Sequence, residues 1–181
     1  MTQRLTLLLA LFILPLYLLA GETSRTEKKL DALLVYGKGF VFSVNEPSGW
    51  VGDIEGAKKY SANIIFYPAG KIHDPTQAVI RVLVIDKVDE NTQEDLTHDM
   101  NGYKARYSGV KFKDISVSHP TYRIFPKLFT VPGQFYEYVA YVNPVPGKKQ
   151  MFSVSMNKQK SEATTRELSA YQEIIASLRL L

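Results

Sequence analysis

Ala78-Val-Ile-Arg-Val-Leu-Val-Ile85 is the stretch whose reading decides the fold. Its residues are apolar and mostly β-branched, which suits a pleated surface. Ile80, Val82 and Val84 point one way along an extended chain, and Val79, Leu83 and Ile85 the other. Near-loss of alternation predicts a strand inside a sheet that is covered on both faces. Arg81 alone interrupts the run. A charge in such a strand must be paired or reach an edge. Glu137, the one acid within the apolar run Phe135 to Val142, is the expected partner, and an anionic ligand received by Arg81 is the rival reading.

Upstream of this strand, Gly39 to Val44 reads as a first strand and Ser61 to Tyr67 as a second, with Asn45-Glu-Pro-Ser-Gly49 as the break between them. Pro47 has no backbone donor and Gly49 permits a turn. Leu30 to Tyr36 is expected to form a short helical turn, and Asp53 to Lys59 a loop or single turn. Trp50, the only tryptophan, follows the break directly into apolar sequence and is expected to anchor the core.

Downstream, Asn91 to Tyr107 reads as a helix with Asn91 as cap and Glu94 in the capping-box position. Leu96, Met100, Tyr103 and Tyr107 form its apolar stripe, and Gly109 stops it. Lys111 to His119, Tyr122 to Val131, Gln134 to Val142 and Gln150 to Asn157 read as strands, and Pro126 predicts an edge or bulge in the second of them. Ser161 to Leu178 closes the chain as a helix striped by Leu168, Tyr171, Ile175 and Leu178. Strands joined by short turns favour antiparallel pairing. The expected class is α+β: an α/β/α sandwich with a central, mainly antiparallel sheet and a C-terminal helix packed on it.

The 181 residues hold no cysteine and carry a formal charge of +4. The surplus is dispersed in pairs such as Lys28-Lys29 and Lys58-Lys59, which suits a solvated surface and does not call for nucleic acid. Lack of cysteine excludes thiol catalysis and thiolate metal sites. Residues 1–20 differ from the rest. Arg4 is followed by the uncharged Leu5 to Ala20, which describes a secretory signal peptide cut after Ala20 or at Gly21. An uncleaved anchor is the alternative, though a run of about sixteen is short for a span of about twenty. The expected organisation is a signal peptide over 1–20, a tether over 21–38 and one domain over 39–181. Export to the periplasm or beyond follows, with membrane contact only through the signal segment if it is kept.

Phe40-x-Phe42-x-Val44, then Pro47-x-Gly49-Trp50, then Phe66-Tyr67-Pro68-x-Gly70, resembles exported bacterial proteins of the PsbP/Mog-like superfamily, which includes DcrB-like proteins. The resemblance spans Gly39 to Leu181. It implies an antiparallel sheet between helices and action by binding proteins. It carries no catalytic residue.

Candidate chemistry is sparse. His73-Asp74 and His98-Asp99 each pair an imidazole with a carboxylate, a plausible start for a metal site. Adjacent residues do not converge on one ion, and solvated side chains explain both pairs. Asp89-Glu90 and Glu94-Asp95 surround a helix start, where acids are favoured. No nucleophile elbow, phosphate loop or dinucleotide fingerprint is present. Tyr136, Tyr138 and Tyr141 could form an aromatic binding face, or fill a half-buried sheet with their hydroxyls at its edge. The binding candidates are therefore His73, Asp74, Arg81, Tyr136 and Tyr138, with no metal, no cofactor and no catalytic residue. The expected role is a non-enzymatic exported domain that binds a protein partner or small ligand. A hydrolase with a loop-assembled site and an envelope-structural protein are the alternatives. Loops at 45–56, 67–76 and 143–149 are the expected binding surfaces.

Overall fold

The computed structural model describes residues 32–70, 77–88, 91–144 and 149–181. In chain order the elements are β1 (Ala32–Gly37), β2 (Phe40–Asn45), β3 (Trp50–Asp53), α1 (Ile54–Ala57) running into a 3-10 turn (Lys58–Tyr60), β4 (Ile64–Pro68), β5 (Val79–Asp86), α2 (Thr92–Arg106), β6 (Lys111–Asp114), β7 (Arg123–Val131), β8 (Phe135–Asn143), β9 (Gln150–Gln159), α3 (Thr165–Ser177) and β10 (Arg179–Leu180). The strands described make two antiparallel sheets, one ordered β3-β4-β5-β9-β8-β7-β6 and a smaller one ordered β1-β2-β10. The fold is α+β, with the larger sheet between α2 on one face and α3 with the smaller sheet on the other.

Strand β5 lies third in the larger sheet, bonded to β4 and β9. Ile80 and Val82 are buried against the core beneath α3, with Phe66, Val154, Met156, Tyr171, Ile174 and Ile175. The opposite face differs from the expectation of full cover. Ile85 packs under α2 with Met151, but Arg81 and Leu83 open onto a pocket. Helix α2 shields only part of that face, because its stripe of Leu96, Met100 and Tyr103 seats on Phe129, Val139 and Tyr141.

Helix α2 starts as its sequence requires. The Asn91 side chain accepts from the Gln93 amide at 3.1 Å, and Gly109, at φ +75, follows its end. Glu94 binds the Asn91 side-chain amide at 3.2 Å rather than its backbone. The reciprocal capping box forms in α3, between Thr164 and Glu167. Helix α3 buries Ala170, Tyr171, Ile174 and Ile175, and its C-cap Leu178 is buried as well. Leu168, expected in that stripe, is exposed, because the first turn meets the sheet through Glu167, buried and paired with Lys158 at 2.9 Å.

Residues 32–37 are a strand where the sequence suggested a helical turn and the end of a tether. Lys38-Gly39, with Gly39 at φ +80, makes a tight hairpin to β2, and Val35 joins the core. The short β10 also pairs with β2, a contact between the two ends of the domain. Phe42 carries the small sheet onto the large one, its ring edge-on to Phe152 at 5.3 Å. Trp50 is 4% exposed and lies in the same core, as expected. Pro126 sits where β7 loses its outer neighbour: pairing with β6 stops at Lys127. The strand expected over Lys111 to His119 ends at Asp114.

Candidate functional site: a polar pocket under the second helix

Strand β9 explains why a cavity exists. Phe152, Val154 and Met156 fill the α3 side, while Ser153 and Ser155 face the other way between bulkier neighbours. Arg81 stands opposite Ser155, and Leu83 opposite Ser153; Val139 and Tyr141 continue the two rows on β8. Two short side chains in the middle strand leave a pocket of about 220 Å³. Asp99 and Tyr103, one turn apart on α2, form one wall, and Tyr60, Ser61 and Ala62 the other. That second wall is fixed locally. Ser61 adopts the left-handed conformation at φ 51 to end the 3-10 turn, and Asn63 accepts from the Val84 amide at 2.7 Å, which pins the loop to β5.

Arg81 reaches diagonally over β9. Its Nε donates to Ser155 Oγ at 3.0 Å and its Nη2 to Glu137 Oε1 at 2.7 Å. The Tyr103 hydroxyl donates to the other oxygen of Glu137 at 2.5 Å. Glu137 is nearly buried, whereas 34% of the Arg81 side chain meets solvent. The pair is thus sealed at the carboxylate end and open at the guanidinium end. A second phenol–carboxylate bond crosses the same interface in the opposite sense: Tyr141 donates from the sheet to Asp99 Oδ2 on α2 at 3.1 Å. Burial, with the neighbouring carboxylates, pushes both phenols far above their usual range, so they remain donors at any physiological pH. Burial also raises Asp99, against the lowering effect of the Tyr141 bond and of nearby Arg106 and His98.

Among the sequence candidates, Arg81 lies in this pocket and is paired with Glu137. Tyr138 points to the opposite face, buried, with its hydroxyl accepting from the Ala163 amide at 3.1 Å. Tyr136 packs part-buried against the same α3-side core. The three tyrosines of β8 therefore do not share a face. His73 and Asp74 lie outside the described residues. His98 is exposed on α2. Asp99, weighed from sequence with His98 and read there as solvated, is instead half-buried in the lining and bonded to Tyr141, and Tyr60, Tyr103, Ser153 and Ser155 were not singled out as site residues from sequence. The available signal was the Ser-x-Ser alternation opposite Phe152, Val154 and Met156. Among the described residues, no group of three or more His, Asp or Glu side chains is placed to hold a metal, and no helix is long and apolar enough to cross a membrane.

No protein-family model matches the chain, and no curated protein matches it. Among solved structures the chain is similar to LpqN, described as involved in cell envelope biogenesis of Mycobacterium tuberculosis, with a TM-score of 0.53 and 12% sequence identity over 82% of this chain and 90% of that one. That likeness is one of fold.

Proposed function

We propose that this chain is a non-enzymatic, exported binding domain of the bacterial cell envelope, of the PsbP/Mog-like kind, and that the Arg81–Glu137–Tyr103 pocket holds its small ligand. One observation carries the reading: the pocket's one cation, Arg81, is neutralised by Glu137, and among the described residues none of the three lining serines is bonded to a base. Ser155 Oγ accepts from Arg81, the reverse of what an activated nucleophile needs. A preformed, partly open polar cavity whose donors are held by neighbours suits recognition. The signal-like segment over 1–20 and the fold likeness to a mycobacterial envelope protein support the location.

The test is retention. The purified chain is incubated with the small-molecule fraction of a bacterial envelope, washed and denatured, and the released compounds are identified by mass spectrometry. Saturable retention of an unaltered compound, lost in Tyr103→Phe and Ser155→Ala while both variants remain folded by circular dichroism, is expected. Release of a cleaved compound, with turnover abolished by Asp99→Asn or Ser153→Ala, contradicts the reading in favour of a hydrolase. Retention that survives both pocket variants contradicts the location of the site.

A further inference from the structure

The charges of the pocket point to the ligand's class. The described lining residues hold one cation, Arg81, against two carboxylates, Glu137 and Asp99. Glu137 occupies Arg81, so the guanidinium is already neutralised from within the protein. An incoming anion would meet Asp99 and Glu137 without a free counter-charge. Asp99 accepts from the phenol of Tyr141, a neutral donor, and among the described residues it has no ion-pair partner within the lining. Arg106 and His98 lie near Asp99, but both are exposed, sit outside the lining and are screened by solvent. Three tyrosines, Tyr60, Tyr103 and Tyr141, join these carboxylates, and aromatic faces attract cations. The remaining lining polar groups are hydroxyls, Ser61, Ser153 and Ser155, which exchange hydrogen bonds with other hydroxyls.

We infer that the pocket takes a small hydroxylated amine, with the ammonium group set against Asp99 and the hydroxyls against the serine row of β9. The volume of about 220 Å³ corresponds to about seven waters at roughly 30 Å³ each, room for one sugar ring and its substituents. An amino sugar combines the required charge, hydroxyls and size. The inference rests on the pocket being the ligand site, and adds what that site selects.

Three probes with the same ring and different charge test it: glucosamine, glucose and glucuronate, titrated calorimetrically into the full chain at pH 7. Glucosamine should bind most tightly and glucuronate least. Asp99→Asn, which keeps an acceptor for Tyr141, should remove the preference for glucosamine over glucose by about tenfold, the weight of one charge-assisted hydrogen bond. Arg81→Gln, which leaves the lining more negative, should tighten glucosamine. Glucuronate binding at least as tightly as glucosamine, and lost in Arg81→Gln, overturns the inference and restores an anion site at Arg81. Glucose binding equally well, with Asp99→Asn neutral, overturns it in favour of a neutral ligand. If none of the three saturates, the amine class is wrong, and retention of envelope compounds then decides the pocket reading separately.

Discussion

Arg81 departs from its apolar neighbours, and the structure accounts for it by one long diagonal reach to Glu137. Removing either partner leaves the other without its charge-assisted bond. Glu137 is the more costly one to strand, because it is nearly buried and also holds Tyr103. Arg81→Met should therefore destabilise by about 1–3 kcal/mol, moderated by the solvent that reaches the guanidinium. Combined with Glu137→Gln, the loss should fall short of the sum by about 1 kcal/mol in denaturant unfolding; additive losses would show that the two do not interact. His119 offers a second check. Its Nδ1 accepts from the Tyr122 amide at 2.8 Å, and its Nε2 lies 3.0 Å from the Leu178 carbonyl, so it ties the 119–122 turn to the end of α3. Burial, reinforced by Arg179, lowers its proton affinity despite the Leu178 contact. A lowered value in the folded state means that the unfolded chain binds the proton more readily. The stability His119 contributes is then complete above its unfolded value of about 6.5 and is lost as pH falls from there through the folded value. Melting temperatures between pH 8 and pH 5 should drop more steeply for the natural chain than for His119→Gln; equal slopes would remove His119 from the account. The Arg81–Glu137 pairing was legible because a lone charge in an apolar strand demands a partner and few acids lie in apolar strands. The role of His119 was not, because its bonds depend on the fold of a loop.

The elements with strong apolar periodicity were the ones legible in advance. Strands β5, β8 and β9 and helices α2 and α3 all fall where their stripes predict, within a few residues. Strand β1 was hidden because Leu33, Leu34 and Val35 follow a charged run and lack clean alternation; only its hairpin partner identifies it as extended. Two-residue β10 exists solely through a pairing to the far end of the chain. Of the loops expected to carry recognition, residues 71–76 and 145–148 lie outside the described residues; the pocket described is built largely on a sheet face, with the Tyr60–Ala62 loop beside it. Its residues come from α2, β5, β8, β9 and that loop, a convergence no local pattern encodes. Two substitutions check the element assignments. Thr164→Ala removes one half of the α3 capping box and should cost about 0.5–2 kcal/mol. Trp50→Ala should cost about 3–5 kcal/mol, and native tryptophan emission should be blue-shifted; red-shifted emission with unchanged stability would place Trp50 on the surface instead.

At the scale of the whole molecule, the two faces of the large sheet do different work. The α3 side is filled by the small sheet, Trp50, Phe42, Phe152 and Tyr171, and supplies the main hydrophobic core. The α2 side is covered at one end by an aromatic cluster, where Tyr103 meets Phe129 edge-on at 4.8 Å, and left open at the other. The two phenol–carboxylate bonds join helix to sheet at the border between those halves, so the same contacts that fasten α2 also shape the cavity. A domain of this design presents a preformed polar recess on a rigid floor. Backbone amide NMR of the ¹⁵N-labelled chain, recorded with and without the small-molecule fraction of a bacterial envelope, tests this directly. The shifts should concentrate on Ser61, Ala62, Arg81, Leu83, Ser153 and Ser155, and should vanish in Tyr103→Phe. Shifts centred instead on the exposed Leu34 and Tyr36 of the small sheet, with the pocket amides unmoved, would contradict the account.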